Sequence, residues 1–302
     1  MKKDYHSFVQ DVAKELEKIL GASYTVRCQE IEKNNRVTYQ AVMISDNVHN
    51  ASPCYNLENY YELYEKPEDI KAIAQDILKI YRQGAALDFP LGLIHDRDEM
   101  LNRVLFRVVS TDRNAGQLAD VPHHDLPELG LSMLFYLFLE STGSSCATML
   151  ICNRHLWMWG TSEPELLEHA WKNTPVVMGH AINSMYEILN GYANLSDVTD
   201  VSKMLPPMYI ITNKHNLYGA ACILYPDVLD KIAQKLGSDF YILPSSLHET
   251  IAVPAEGLDI NQAKDLKAMV SVINQSELKP EEVLSDNVYY YCREKHKLSM
   301  AV

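Results

Sequence analysis

Two segments of the chain repeat the same order of residue types about sixty residues apart. Each has an apolar, β-rich run, a polar turn containing Asn, a second apolar run and a helical stretch. In the first segment these lie at 147–152, 153–155, 156–160 and 164–173. In the second segment they lie at 208–212, 213–216, 217–222 and 226–236. This order predicts a strand, a turn, a paired strand and a helix. Antiparallel hairpins backed by helices define the α+β class.

The two ends of the chain carry the same hairpin-then-helix order. Apolar residues recur at helical spacing over 6–20, which predicts an amphipathic helix. Strand-like runs follow at 24–31 and 37–44, and then comes a helical pattern over 57–83 that Pro67 is expected to break. Near the other end, runs at 240–243 and 247–253 predict a hairpin, and 260–274 predicts a helix. The sequence therefore predicts repeated β-hairpin–helix units forming antiparallel sheets backed by helices.

Between these ends, strands are predicted at 104–109 and 131–139, and a helix at 176–189. The segment 190–206 is rich in Gly, Asn, Asp and Pro, which is typical of a boundary. We expect two lobes joined there, with an N-terminal unit at 1–84, a middle unit at 85–190 and a C-terminal unit at 207–302. The alternative that 85–302 form one domain stays open.

The charge balance limits the partners of the chain. Its 302 residues carry a formal net charge of −13, which argues against direct binding of nucleic acid or of anionic membrane surfaces. No apolar run approaches the length of about 20 residues that a membrane span needs, and no secretory signal follows the first residues. We expect a cytoplasmic protein whose acidic surface serves solubility. A decoy that imitates DNA for a DNA-binding protein is the more specific alternative.

Cofactor and metal sites receive little support from the sequence. The six cysteines form no C-x-x-C pair, so unpaired packing thiols are expected in a cytoplasmic chain. No glycine-rich nucleotide motif is present. His123, His124 and Asp125 could offer metal ligands with nearby acids, but adjacent histidines chelate poorly from one regular element. We therefore predict no cofactor and no metal, and a polar capping loop at 123–125.

The best candidate site combines two turns. Its residues carry the hydroxyl, imidazole, carboxylate and amide groups that contact ligands or act in catalysis, namely Ser245, Ser246, His248, Glu249, Asn213 and His215. Neighbouring residues of a strand point to opposite faces, so Glu249 cannot readily orient His248, and no G-x-S-x-G or H-E-x-x-H motif is present. A turn in which the serine hydroxyls satisfy backbone groups is the competing interpretation.

Other aromatic and histidine residues have structural interpretations that compete with functional ones. His155 and His215 occupy equivalent positions in the two predicted hairpins, which favours a turn role over a pair of ligand contacts. Trp157 and Trp159 would share one face of a strand, as core residues or as a binding platform. Tyrosines cluster at 60–64 and 289–291, where packing within the chain competes with an interface.

Several blocks of the sequence resemble the DUF5688 family of uncharacterised proteins from Firmicutes. These blocks span nearly the whole chain, at 56–61, 121–123, 212–213, 219–220, 242–249 and 284–291. Some of them also resemble, more distantly, the uncharacterised group DUF1444. The resemblance implies a bacterial, intracellular protein and implies no activity.

The function expected from these observations is a non-catalytic binding or regulatory module with a protein or small-molecule partner, because the architecture is regular and no catalytic residues converge. The contact surface would join the turns 244–249 and 213–216. The alternative is a hydrolase or transferase that uses His248 with Ser245 or Ser246 and a distant carboxylate. It requires the His248 ring within hydrogen-bond reach of a serine hydroxyl.

Overall fold

A computed structural model describes residues 3–46, 54–83, 94–142, 145–192, 207–256 and 260–301. The chain divides into two compact units. The N-terminal unit comprises Met1–Lys33 and Val37–Ile94, and the C-terminal unit comprises Asn34–Arg36 and His95–Val302.

The N-terminal unit packs helices against a three-stranded antiparallel sheet of order β1-β2-β3. Its elements are α1 Tyr5–Leu20, β1 Tyr24–Glu32, β2 Thr38–Asp46, β3 Cys54–Asn56, α2 Glu58–Leu63 and α3 Asp69–Gln83. The side chain of Asp4 caps α1 by accepting the Ser7 N–H at 3.0 Å. The apolar face of α1, with Phe8, Val12 and Leu16, is fully buried.

The C-terminal unit contains two antiparallel sheets. One has the order β4-β6-β5 with β7 also paired to β6, and the other has the order β13-β12-β10-β11-β9-β8. The strands are β4 Val104–Ser110, β5 His123–Leu126, β6 Leu131–Thr142, β7 Ser145–Leu150, β8 Ala181–Ser184, β9 Tyr209–Thr212, β10 Phe240–Pro244, β11 Thr250–Pro254, β12 Tyr289–Cys292 and β13 Lys297–Met300.

The helices of this unit surround the two sheets. They are α4 Arg97–Leu101, α5 Ala115–Leu118, α6 Asn153–Trp159, α7 Glu163–Met178, α8 Met185–Tyr192, α9 Val228–Leu236 and α10 Ile260–Ser276, with 3₁₀ turns at Gly219–Leu224 and Pro280–Glu282. Packing of α7 on β4 brings the rings of Phe106 and Trp171 to 5.1 Å, and the Phe106 N–H donates to Thr174 Oγ1 at 3.0 Å. On the other sheet, Ala263 and Val270 of α10 are buried.

The α+β class and the antiparallel sheets are therefore confirmed. The terminal hairpins and helices lie within a few residues of their predicted positions, and Pro67 lies between α2 and α3 as expected. None of the helices in the described ranges is both long and apolar enough to cross a bilayer.

The prediction of a strand at 156–160 is wrong, because this segment belongs to helix α6. The Cys152 N–H donates to His155 Nδ1 at 2.9 Å at the start of the helix, and Gly160 ends it with a left-handed φ of 57°. His155 stacks on Trp159 one turn later, with ring centroids 5.3 Å apart. A short apolar run fits a strand and a buried helix equally well, and the capping groups decide for the helix.

The strand predicted at 217–222 is also wrong, since Gly219–Leu224 forms a 3₁₀ helix. Gly219 is required there, because an added Cβ would lie 2.3 Å from both the His248 carbonyl oxygen and Thr212 Oγ1. The predicted helix at 176–189 is divided instead, since α7 continues to Met178 and β8 precedes α8.

The predicted limits of the domains stay predictions. Most of the proposed joint at 190–206 lies outside the described ranges, as does the predicted boundary between residues 84 and 85.

Candidate functional site

A groove of about 560 Å³ lies in the C-terminal unit between three segments that are far apart in sequence. These are the end of β5 with its following turn at 125–129, the 3₁₀ turn and start of α9 at 223–230, and the β12–β13 hairpin at 291–298. Its apolar lining includes the buried side chains of Leu129, Ile223, Tyr225 and Leu229. The groove therefore combines a fixed apolar surface with polar residues from each segment.

Asp230 of α9 is the centre of the polar network in this groove. Its Oδ1 accepts hydrogen bonds from Tyr291 Oη at 2.6 Å and from His296 Nδ1 at 2.7 Å. The hydrogen bond from Tyr291, followed by that from His296, lowers the pKa of Asp230, so the carboxylate stays ionised. Because Nδ1 donates to Asp230, the other ring nitrogen of His296 is the hydrogen-bond acceptor of the neutral ring.

A second aspartate holds the same hairpin on its other face. Asp239 accepts hydrogen bonds from Tyr290 Oη and, at 2.9 Å, from the Arg293 N–H, and these two bonds lower its pKa in that order. Consecutive residues of a strand point to opposite faces, so Tyr290 and Tyr291 reach different aspartates. Asp239 does not line the 560 Å³ groove, which makes it a natural control for Asp230.

Two residues at the edge of the groove adopt the left-handed backbone conformation. Asp227 has φ 63° and His296 has φ 49°. Aspartate and histidine tolerate this region better than most residues, and the conformation sets the direction of each side chain. Within the described residues, the Asp227 carboxylate forms neither an ion pair nor a capping hydrogen bond. It is thus a charged group available to a ligand.

The structure does bring the sequence-predicted turns together, but outside this groove. Asn213 is buried, and its Oδ1 accepts the N–H groups of His215 and Leu217 at 3.0 and 3.3 Å. Thr212 Oγ1 donates to the His248 carbonyl at 2.8 Å, and so joins the two turns. The His215 ring lies 5.6 Å from that of Phe138.

The hydroxyls of the second turn are engaged by its own residues. Ser246 Oγ accepts the His248 backbone N–H at 2.9 Å, and Ser245 Oγ donates to Glu249 Oε1 at 3.1 Å. The His248 ring faces the other turn, where its Nδ1 accepts the Tyr218 N–H at 3.1 Å. These contacts favour the interpretation of the serines as turn-stabilising groups. Among the described residues they provide no hydrogen bond from a serine hydroxyl to the His248 ring, which the Ser/His enzyme hypothesis requires.

The prediction of a polar capping loop at 123–125 is wrong, because His123–Leu126 forms strand β5. His123 Nδ1 lies 3.0 Å from the Val121 carbonyl, and Asp125 accepts from Ser132 Oγ at 2.6 Å. No group of three or more His, Cys, Asp or Glu side chains in the described ranges is arranged to hold a metal ion. Tyr289 and Tyr291 are buried within β12, so this tyrosine cluster packs within its own unit.

Trp157 and Trp159 differ in their exposure, because they belong to helix α6 and not to one face of a strand. Trp159 is 2% exposed and Trp157 is 88% exposed. Five cysteines in the described part of the chain are free, and of these Cys222 is buried and Cys54 is exposed.

Sequence reasoning missed Asp227, Asp230 and His296. Asp230 lies on an amphipathic helix, and His296 lies in a charged turn of the type that ends many hairpins. Neither position carries a motif. The one available signal was the tyrosine run at 289–291, whose hydroxyls need acceptors when their rings are buried.

The fold and the groove define an α+β protein of antiparallel sheets with a ligand-sized depression in its C-terminal unit. The chain belongs to the DUF5688 family, a family of unknown function whose model matches residues 5–293. No curated protein matches the chain. No solved structure matches it either.

Proposed function

We propose that this protein is a non-catalytic binding module whose groove takes a small organic cation with an apolar body. The groove itself carries the proposal. Its volume of about 560 Å³ falls within the range of about 300–1,000 Å³ that is typical of small-molecule sites. Such sites combine an apolar lining with a few fixed polar groups, as the lining residues here do.

The preference for a cation follows from the charges around the groove. Four carboxylates line it, those of Asp125, Glu128, Asp227 and Asp230, whereas His296 is the one lining residue with a basic side chain. Glu128 is paired with Lys297 at 2.9 Å, and Asp230 is engaged by its two donors. We therefore assign the ligand's cation to Asp227 and its apolar body to the buried leucine, isoleucine and tyrosine surface.

A binding role is supported by the way the polar residues of the groove are held. Asp230 orients His296 by accepting a hydrogen bond from its Nδ1 atom, and it also accepts from Tyr291. This network fixes the hairpin wall of the groove. A preformed wall lowers the entropic cost of binding.

Isothermal titration calorimetry with three probes of equal shape tests this proposal. The probes are 4-phenylbutylamine, 4-phenylbutanol and 4-phenylbutanoate, and the amine is expected to bind most tightly and the acid least. Raising the salt concentration should weaken binding of the amine and leave binding of the alcohol unchanged, because salt screens exposed charges.

A matched pair of variants locates the site. Asp227→Asn should weaken binding of the amine by about two- to fivefold, which is the size of effect expected for the loss of an exposed ion pair. Asp239→Asn removes the same charge outside the groove and should leave the affinity for the amine unchanged. Equal binding of the amine and the alcohol to the unmodified protein would refute the charge assignment. Failure of all three probes to bind would refute the proposal that the groove is a ligand-binding site.

A further inference from the structure

Arg107 lies in the middle of β4, where the other residues of the strand are buried. Its side chain is half-buried, and its Nε is fully buried without a hydrogen-bond acceptor. In the described part of the chain, no carboxylate lies within ion-pair distance of this guanidinium. A partly desolvated charge without a partner is costly, so such a group marks a position where an anion would be stabilised.

The aromatic ring of Tyr218 lies against this guanidinium. Arg107 Cζ is 4.7 Å from the centre of the Tyr218 ring, which is a cation–π contact. The ring of Tyr136 packs edge-on against the same ring at 5.4 Å, so Tyr218 is held from two sides. This contact compensates the charge of Arg107 in part and leaves its Nε–H group without an acceptor among the described residues.

The backbone of Tyr218 is strained. Its φ of 55° places it in the left-handed region, which is rare for a large side chain. Such a conformation is unfavourable and persists where the surroundings enforce it, often at ligand sites. Here the His248 Nδ1 atom accepts the Tyr218 N–H at 3.1 Å, and the two rings stack with their planes 13° apart. The strain therefore presents the Tyr218 ring between Arg107 and His248.

His248 contributes a hydrogen-bond donor to this cluster. Because Nδ1 accepts a backbone N–H, the proton of the neutral ring is on Nε2. Burial lowers the pKa of His248, and it outweighs the opposite effect of the Glu282 and Glu249 carboxylates. The ring is thus a neutral donor at pH 7, and the one full positive charge of the cluster is that of Arg107.

We propose that Arg107, Tyr218 and His248 form a second binding site, which takes a carboxylate. The guanidinium fork matches the geometry of a carboxylate and can donate two parallel hydrogen bonds to it. Glu249 and Glu282 disfavour multiply charged anions at the same position, so a singly charged ligand is preferred.

This site differs in charge from the groove at Asp230, and the two proposals do not depend on each other. None of its three residues lines the groove. A cation probe reports on the groove and an anion probe reports on the Arg107 site, so either proposal can fail alone.

The test is calorimetric titration of the full chain with benzoate and with benzamide, which has the same shape and no charge. Benzoate is expected to bind at least tenfold more tightly, because hydrogen bonds to a charged partner are the stronger kind. Equal affinities, or no measurable binding of benzoate, would overturn the proposal. Inorganic phosphate is the third probe, and phosphate binding as tight as benzoate binding would overturn the assignment to a carboxylate.

Two conservative variants localise the effect. Arg107→Lys keeps the charge and the aliphatic stem but loses the planar fork, so the affinity for benzoate should fall by about tenfold while that for benzamide stays the same. Arg103→Lys is the control, since the Nε of Arg103 is likewise buried without an acceptor among the described residues, whereas its Nη groups have partners in the Leu139 carbonyl and Glu99. It should leave both affinities unchanged. Unchanged benzoate binding in Arg107→Lys, or an equal loss in both variants, would contradict the site.

Discussion

The hydrogen bond between Tyr291 and Asp230 supports a quantitative prediction for a double-mutant cycle. Tyr291→Phe removes one hydroxyl and keeps the ring, and Asp230→Asn removes the charge and keeps an acceptor. The two atoms are 2.6 Å apart, and the Tyr291 side chain is buried whereas that of Asp230 is 33% exposed. Each single variant therefore changes one partner of a charge-assisted hydrogen bond with little loss of packing.

The expected magnitude follows from the burial of the pair. A hydrogen bond to a charged group contributes about 1.5–3 kcal/mol, and partial exposure of the carboxylate places this one at about 1.5 kcal/mol. In the Asp230→Asn background a neutral hydrogen bond remains, so Tyr291→Phe should cost only about 0.5 kcal/mol there. The coupling free energy should thus be about 1 kcal/mol. The exposed ion pair of Asp230 with His296 adds little to it.

Urea titration followed by tryptophan fluorescence measures these free energies of unfolding. All three tryptophans, at positions 157, 159 and 171, belong to the C-terminal unit, so the fluorescence transition reports on the unit that contains the pair. The slope of the free energy against urea should stay constant across the four proteins, since none of the changes alters the surface exposed on unfolding.

The Tyr290 and Asp239 pair is the matched control. Tyr290→Phe and Asp239→Asn change a hydrogen bond of the same chemistry on the opposite face of β12, and should show a similar coupling. Of the two aspartate changes, Asp230→Asn alone is expected to alter binding of 4-phenylbutylamine. Additive effects of Tyr291→Phe and Asp230→Asn, within about 0.3 kcal/mol, would refute the charge-assisted hydrogen bond.

Acidification independently tests the direction of the pKa shift of Asp230. The pKa of Asp230 is lower in the folded than in the unfolded protein, so its stabilisation is fully present above the unfolded value of about 3.9 and is lost as the pH falls through the folded value. The stability difference between Tyr291→Phe and the unmodified protein should therefore shrink below about pH 4. A stability difference between the two proteins that is constant from pH 6 to the lowest pH at which they stay folded would contradict a lowered pKa of Asp230.

Three further predictions concern the packing of the C-terminal unit. Gly219→Ala should lower the free energy of unfolding by about 3 kcal/mol or more, because the added Cβ would overlap a backbone carbonyl. Gly237→Ala places its Cβ in open space and should cost about 1 kcal/mol for its left-handed φ. Thermal melts distinguish the two variants. Trp159→Ala should lower the free energy of unfolding by about 3–5 kcal/mol because Trp159 is buried, and Trp157→Ala should lower it by less than about 0.5 kcal/mol because Trp157 is exposed. Similar urea midpoints for the two variants would contradict the assignment of both residues to helix α6. Burial raises the pKa of the Cys222 thiol to about 12, so peptide mapping after iodoacetamide treatment should find it alkylated in urea but not in the native protein.

Much of the fold was predictable because its signals are local. The helical spacing over residues 6–20 reappears as α1, and the break at Pro67 separates α2 from α3. The terminal hairpins likewise follow from apolar runs on each side of polar turns. Period and turn chemistry act between residues a few positions apart, so they can be read without knowledge of the chain path.

The short apolar runs at 156–160 and 217–222 were not predictable in this way. Five or six apolar residues fit a strand or a buried helical turn equally well. Tertiary contacts decide for helical turns, through the capping of α6 at 152–155 and the close approach of Gly219 to the neighbouring turn.

The candidate sites show the same division. The sequence alone singled out the turns at 213–216 and 245–249, which do join, because their polar residues are concentrated in short stretches. It could not find the Asp230 groove or the Arg107 cluster, whose members come from separate strands and turns. A site of this kind depends on distances between residues that are remote in sequence, and only the tertiary path of the chain determines those distances.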